Sequence, residues 1–343
     1  MAHKKTGKSV TIIIPTYNGE KTLAECLDAL TMQTIHPNEI MVVDDGSTDG
    51  TKTVAESYSM VTVLSQTNAG PAKARNAGAK KAKTNIIIFL DSDCVPEATW
   101  IEEMLKPFSD ENVVGVQGAY KTNQTALSAR FDQLDIEYRY ERMKKSKHLD
   151  WIGCYSAAYK RDIFIQEGGF DETFPKASGE DSEFSYRLAK KGHTLVFNPR
   201  AIVYHTHPPT IFQYLRVKFA RAYWRTRMYI KHPEKSIRDS YTPHLLKINF
   251  FVGGLFLVVV AFIGFKLLTS TLSRALVAHE MEQLFFFLGI IFAIIILTLC
   301  DFLLMVAKKD LVMLPYAVVI VFLRSIVFVL GAGLGLIDPR VRA

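Results

Sequence analysis

The chain has 343 residues, 49% of them hydrophobic and 22% charged, and a formal net charge of +7. That length can bury a sizeable core, and the composition excludes a disordered chain, a collagen and a disulfide-rich mini-protein. The charge is local: between Gln213 and Arg238, Arg216, Lys218, Arg221, Arg225, Arg227, Lys231, Lys235 and Arg238 face only Glu234, and no RNA-binding or zinc-finger motif accompanies them, so no nucleic-acid partner is expected.

In chain order, a basic stretch, Met1 to Ser9, precedes an apolar run, Val10 to Ile14, that stops at Pro15. That run is too short for the core of a signal peptide, so the front of the protein is expected in the cytosol. Cys26, Cys94, Cys154 and Cys300 are widely separated, form no CxxC pair and suit packing in a reducing compartment. Up to about Phe197, short β-branched runs alternate with amphipathic stretches, which predicts an α/β domain with a mostly parallel, twisted sheet. The expected strands are Val10 to Ile14, Glu39 to Val43, Val61 to Ser65 and Asn85 to Leu90. Each ends in a polar cluster, and in such a sheet ligands bind where the strands end, so these clusters should converge on one crevice.

No GxGxxG follows the first strand and no GxxxxGK(S/T) occurs, which argues against a dinucleotide oxidoreductase and a P-loop enzyme. The crevice is instead rich in carboxylates: Asp44 and Asp45, then Asp91 and Asp93. Carboxylates repel a diphosphate unless a divalent cation lies between them, and hard oxygen ligands suit Mg2+ or Mn2+. Lys73 and Arg75 begin a helix after Gly70-Pro71, where backbone amides and the helix dipole favour an anion such as that diphosphate. Leu127, Phe131, Leu134 and Tyr138 recur at helical spacing in Ala126 to Leu149. Glu180-Asp181 opens a further helix with Phe184 and Leu188 on one face, and Glu183 can pair there with Arg187. After a strand-like Thr194 to Phe197, His205 and His207 alternate and so share a face of an extended segment. Beyond Lys247 come apolar runs at Asn249 to Leu268, Leu284 to Ala307 and Leu311 to Ile337, each long enough for the roughly 20 residues that cross a bilayer.

Six stretches, in the same order and spacing, resemble the family-2 glycosyltransferases of GT-A fold. They are Ile12 to Asn18, Val42 to Asp49, Asn68 to Gly78, Phe89 to Asp93, Gly168 to Asp171 and Gly179 to Asp181. The resemblance implies that Pro15, Thr16, Tyr17 and Asn18 line the donor's base and ribose, with Tyr17 stacking, and that Asp45 hydrogen-bonds a uracil, favouring a UDP-sugar. Asp91-Ser92-Asp93 matches the DxD motif, whose first carboxylate meets the ribose and whose second, Asp93, holds the divalent cation. A late histidine, His205 or His207, is expected at the metal or diphosphate. Asp181 matches the catalytic base, which takes a proton from an acceptor hydroxyl as that oxygen attacks the anomeric carbon, so the outcome is inversion. Gln213 to Val217 partly resembles the QxxRW motif of processive members. Val217 replaces its tryptophan, and Trp224 lies two turns further on, which favours transfer of a single sugar.

The expected organisation is a cytosolic catalytic domain over residues 1–210, basic juxtamembrane helices over 211–247 and a membrane domain of about three spans over 248–343. Glu180, Gln213, Arg216 and Trp224 are assigned to the acceptor and membrane side. The belt's cations and aromatics suit anionic lipid headgroups. Thr269 to Gln283, with Glu280 and Glu282, should lie outside and the basic turn at Lys308-Lys309 inside; Arg340 and Arg342 then fall outside, and Arg324 inside the third run calls for Asp301 as a partner, snorkelling, or an interfacial placement. The acceptor is expected to be membrane-embedded and lipid-linked. A sugar hydroxyl needs the base that Asp181 supplies, whereas a phosphate acceptor does not. A polyprenyl- or dolichyl-phosphate glycosyltransferase and an inactive membrane scaffold stand as alternatives.

Overall fold

The computed structural model describes residues 8–174, 179–237, 239–269 and 274–342. Most of the basic amino terminus, Arg238 of the belt and residues 270–273 of the expected outer loop lie outside the described residues. The chain divides into two compact units, Met1–Thr125 with Arg139–His207 and Asp239–Tyr241, and Ala126–Tyr138 with Pro208–Arg238 and Thr242–Ala343. The second unit thus takes in half of a helix expected in the catalytic domain, and the first takes back three residues from the juxtamembrane region.

The first unit is built on an eight-stranded sheet of β1 (Val10–Thr16), β2 (Glu39–Asp44), β3 (Val61–Ser65), β4 (Ile86–Leu90), β5 (Cys94–Pro96), β6 (Val113–Lys121), β7 (Ser156–Lys160) and β8 (Thr194–His205). Their order is β3-β2-β1-β4-β7-β6-β8-β5. The four strands expected from sequence end within two residues of their predicted limits. β1 is buried along its whole length, as a β-branched run covered on both faces should be. Its parallel pairing with β2 sets Thr16 against Asp44, and its pairing with β4 sets Ile13 against Phe89, so three strands deliver their carboxyl ends to one edge. The sheet is mixed: β7 runs antiparallel to both β4 and β6, and β5 to β8.

Helices α1 (Leu23–Thr31), α2 (Thr51–Glu56), α3 (Pro71–Lys81), α4 (Trp100–Leu105), α5 (Leu127–Lys145), α6 (Arg161–Gln166) and α7 (Glu180–Lys190) connect these strands. Apolar side chains from β1, β2, β4, α1 and α4 form the main core. Phe89, Tyr159, Phe164, Phe170 and Phe184 form an aromatic cluster with ring centroids 4.9 to 6.4 Å apart, and Phe184 fixes α7 by this contact.

The second unit contains the first half of α5 with α8 (Ile211–Lys231), α9 (Glu234–Ile237), α10 (His244–Thr269), α11 (Arg274–Thr298), α12 (Cys300–Lys309), α13 (Leu314–Ile337) and α14 (Pro339–Arg342). Among the described residues three stretches are long and apolar enough to cross a membrane, His244–Lys266, Met281–Thr298 and Leu311–Ile337. The second predicted run is cut at Leu299, where α11 gives way to α12, a separate amphipathic helix that buries Phe302, Leu303 and Val306 and ends in Lys308-Lys309. Arg324 meets Asp135 of α5 at 2.7 Å rather than Asp301; both are buried, and a guanidinium in an apolar bundle requires such an anion. Lys218 of α8 is likewise paired with Asp132 at 2.7 Å.

Candidate functional site

The segments that follow β1 and β2 are joined by hydrogen bonds. The Asp45 amide donates to the Thr16 carbonyl at 2.8 Å, the Asn18 amide to Ser47 Oγ at 2.9 Å, and Asn18 Oδ1 accepts from the Thr48 amide at 2.8 Å. Asn18 adopts φ 53°, a left-handed conformation that asparagine tolerates better than most side chains. At Gly19 a Cβ would lie 2.4 Å from Thr16 Oγ1 and 3.3 Å from Ser92 Oγ, so the glycine lets this turn sit against the Asp91-Ser92-Asp93 loop. Tyr17, beside Pro15 and Thr16, is 52% exposed, its ring open for stacking.

Asp45 and Arg75 are both engaged by other groups of the chain. The Asp45 carboxylate is buried and accepts from Gln66 Nε2 at 2.7 Å and from the amides of Ala69 and Gly70 at 2.9 and 2.8 Å, so it shapes the loop that leads into α3. Arg75, expected at the diphosphate, lies buried between Asp91 Oδ1 at 2.7 Å and Glu180 Oε1 at 3.0 Å. A desolvated guanidinium takes the strongest anions within reach, and here they are two carboxylates of the chain. The bridge joins the loop after β4 to the first turn of α7. Glu180, assigned to the acceptor side, is therefore a buried partner of Arg75.

Asp181, the next residue, is partly exposed, and its Oδ1 accepts from the Ser182 amide at 2.6 Å. Two further contacts hold this turn. Trp151 Nε1 donates to Ser182 Oγ at 2.8 Å, and the Ile152 amide to Ser185 Oγ at 3.0 Å. Trp151 was not singled out by sequence; the available signal was a lone tryptophan between a helix and a small-residue strand. Glu183 and Arg187 pair at 3.0 Å as the i, i+4 spacing predicts.

Asp93 is half-exposed, and its Oδ2 lies 3.4 Å from His205 Nε2. His205 stacks on Tyr120 with centroids 4.5 Å apart, while its Nδ1 faces Nδ1 of the buried His207 at 3.1 Å. The two histidines thus meet each other, and only His205 is described against Asp93. Burial pushes the Asp93 carboxyl up, but the hydrogen bond and charge of His205 outweigh it and hold the group below the usual carboxylate range. A cavity of about 310 Å3 opens here, walled also by Glu25, Thr122, Asn123 and Gln124. Among the described residues no group of three histidines, cysteines or carboxylates is placed to hold a metal. Asp93 and His205 do fit a divalent cation in their chemistry, since a half-exposed carboxylate oxygen and an imidazole nitrogen stand side by side at the cavity. The remaining positions would fall to phosphate and water oxygens.

In the second unit Gln213 and Arg216 are exposed on α8, whose first turn is capped by Thr210 Oγ1 accepting from the Gln213 amide at 3.3 Å. Trp224 is half-buried with its ring edge-on to Tyr223 at 5.0 Å.

Known proteins share this sequence and fold. The family model Glycosyl transferase family 2 matches residues 11–168. Glycosyltransferase AglE of Haloferax volcanii is 30% identical over 58% of this chain and 67% of its own length. The O-antigen chain rhamnosyltransferase WbaN of Salmonella anatum is 30% identical over 58% of this chain and 66% of its own. A chondroitin synthase of Pasteurella multocida is 27% identical over 58% of this chain, which covers only 25% of that relative. In structure, the chain resembles the mannosyltransferase PcManGT of Pyrobaculum calidifontis, solved in complex with GDP-Man and Mn2+, with a TM-score of 0.55 over 89% of this chain and 87% of that one at 22% identity. The first unit accordingly has the GT-A fold, followed by helices long and apolar enough for a membrane. The family model and the relatives agree: the chain belongs to glycosyl transferase family 2.

Proposed function

We propose that the protein transfers one sugar, with inversion, from a nucleotide-diphosphate sugar, a UDP-sugar in preference, to a hydroxyl of a lipid-linked saccharide held at the membrane, with the catalytic unit on the cytoplasmic face. The observation that carries this reading is the Arg75 bridge between Asp91 and Glu180, since it ties the donor-side loop to the turn that bears Asp181. Such a tie holds the donor and the base in fixed register, and positioning alone supplies several kcal/mol of a transfer barrier.

In this reading Tyr17 stacks on the base, Asp91 turns its free oxygen to the ribose, and Asp181 accepts the acceptor's proton during attack from the side opposite the nucleotide. Asp93 and His205 would hold Mg2+ or Mn2+, which when bound neutralises charge on the departing diphosphate. The half-exposed Asp93 carboxylate keeps an open face toward the cavity, as a ligand to such a cation requires. AglE and WbaN, named as a glycosyltransferase and an O-antigen chain rhamnosyltransferase, support a role in glycan assembly.

The test is nucleotide release by the detergent-solubilised protein across UDP-, GDP- and other nucleotide sugars, with a lipid-linked saccharide or with bare polyprenyl phosphate. Release stimulated by the saccharide is expected. Strong release with bare polyprenyl phosphate, and none with the saccharide, would transfer the chain to the phosphate-accepting enzymes.

A further inference from the structure

Length and hydropathy make α13 look like a third span, but besides α10, on which Phe328 stacks against Phe250 at 4.3 Å, it packs on helices that are not candidate spans. About a third of its apolar window is buried inside the protein, 33% against 11% for each of the other two candidates. The question is what it packs against.

Its carboxyl-terminal third runs beside α8, with residue numbers rising together. A Cβ at Gly331 would lie 2.6 Å from the Phe219 carbonyl oxygen, and one at Gly335 would lie 2.5 Å from that of Tyr223, so two glycines one turn apart let the backbones touch. Thr226 Oγ1 donates to the Ala332 carbonyl at 3.4 Å, Tyr223 donates its hydroxyl to Asp338, and Arg227 Nη1 donates to the Arg340 carbonyl at 3.3 Å. Near the other end, Tyr316 shares a hydrogen bond with Ser128 of α5, and Arg324 pairs with Asp135.

The side of the membrane on which α8 lies follows from chain continuity. The chain leaves the catalytic unit after His207 and is back in it at Asp239. There Ser240 exchanges hydrogen bonds with Asp150 at 2.7 and 3.1 Å, and Tyr241 stacks on Trp151 at 3.7 Å. If α8 crossed the bilayer, the eight steps from Lys231 to Asp239 would have to cross it again. They span at most about 29 Å when fully extended, short of the ~30 Å hydrocarbon core, and α9 shortens them further. Arg216, Arg221 and Arg225 would each add a cost of insertion within the bilayer. α8 therefore stays on the catalytic side, and the stretch of α13 and α14 that runs along it as far as Arg340 ends there too.

We propose that α13 does not cross the bilayer: with α8 it forms a plate in the catalytic-side interface, leaving α10 and α11 as a single membrane hairpin. The plate's partner is the lipid surface. Phe212 and Ile230 of α8 and Leu334, Leu336 and Ile337 of α13 are exposed apolar side chains for the acyl boundary, and Arg216, Arg221 and Lys231 are cations for anionic headgroups. Arg340 moves from the outer side, where three spans would put it, to the side that the positive-inside rule favours.

The experiment uses the full chain with an epitope at each end, expressed in membranes and recovered as sealed right-side-out and inverted vesicles exposed to protease. Removal of both epitopes in the same vesicle orientation is expected, and removal in opposite orientations overturns the proposal. Because a tag can perturb an end, a second readout is an R340C variant in a Cys300→Ser background, the other three cysteines being buried. Labelling by a membrane-impermeant maleimide from the catalytic side alone agrees with the two-span arrangement; labelling from the opposite side alone overturns it.

Discussion

Both units bury basic side chains against carboxylates, and they do so to different ends. In the catalytic unit Arg75 is 4% exposed between Glu180 at 2% and Asp91 at 31%, so one side of the bridge opens to the crevice. In the helical unit Arg324 with Asp135 and Lys218 with Asp132 are closed on both sides, none more than 6% exposed. A buried charge with an open neighbour can serve a ligand, whereas one sealed within a bundle serves only the bundle. Substitutions at the first kind should therefore cost turnover while the fold survives, and those at the second should cost the fold while turnover per folded molecule survives.

The largest effect is expected at Asp93. Asp93→Ala should lower turnover by about 10⁴-fold, since it removes several kcal/mol of charge stabilisation, with little change in the thermal midpoint because the side chain is half-exposed. Equal loss of fold and turnover would erase the distinction between the two units. Asp181→Asn keeps size and hydrogen bonding but removes the base, so steady-state kinetics should give about a 10³-fold fall in kcat. Arg324→Met leaves Asp135 charged and buried and should cost about 3–5 kcal/mol, read by denaturant unfolding in detergent. Adding Asp135→Leu should recover most of that loss, and a double mutant no more stable than the single would show that the pair is not what holds α5 to α13. The smallest effect is at Tyr17, where Tyr17→Ala should raise the donor KM by about five- to tenfold through a lost stacking contact of about 1 kcal/mol.

What the sequence revealed and what it hid follow the same physical line. β1 to β4 were legible because each is a β-branched run closed by a polar cluster, so composition marks both its interior and its end. β8 was legible only to Phe197: it continues to His205 past the exposed Pro199 and Arg200 by a shift in its register with β6 between Gln117 and Ala119, and a proline inside a strand hides such a continuation. The reversed direction of β7 was not legible, since Ser156 to Lys160 carries neither strong patterning nor a hairpin signal. At the site, Asp93 and His205 were each visible, as was the first turn of α7. The bridge of Arg75 to Glu180 was not, because its ends lie 105 residues apart and each looks locally like a solvated helix-start residue. Asp135 and Arg324, 189 apart, were hidden in the same way.

The central claim is that the open face of the catalytic unit works with a divalent cation to move a sugar from a nucleotide. Its most direct test is the initial rate of nucleotide release by the purified protein with donor and lipid-linked saccharide, first in EDTA and then across a Mn2+ titration. The account predicts that release is lost in EDTA and restored by the metal, and that Asp93→Ala shows no such restoration. Full release in EDTA, or restoration that is indifferent to Asp93, would contradict it.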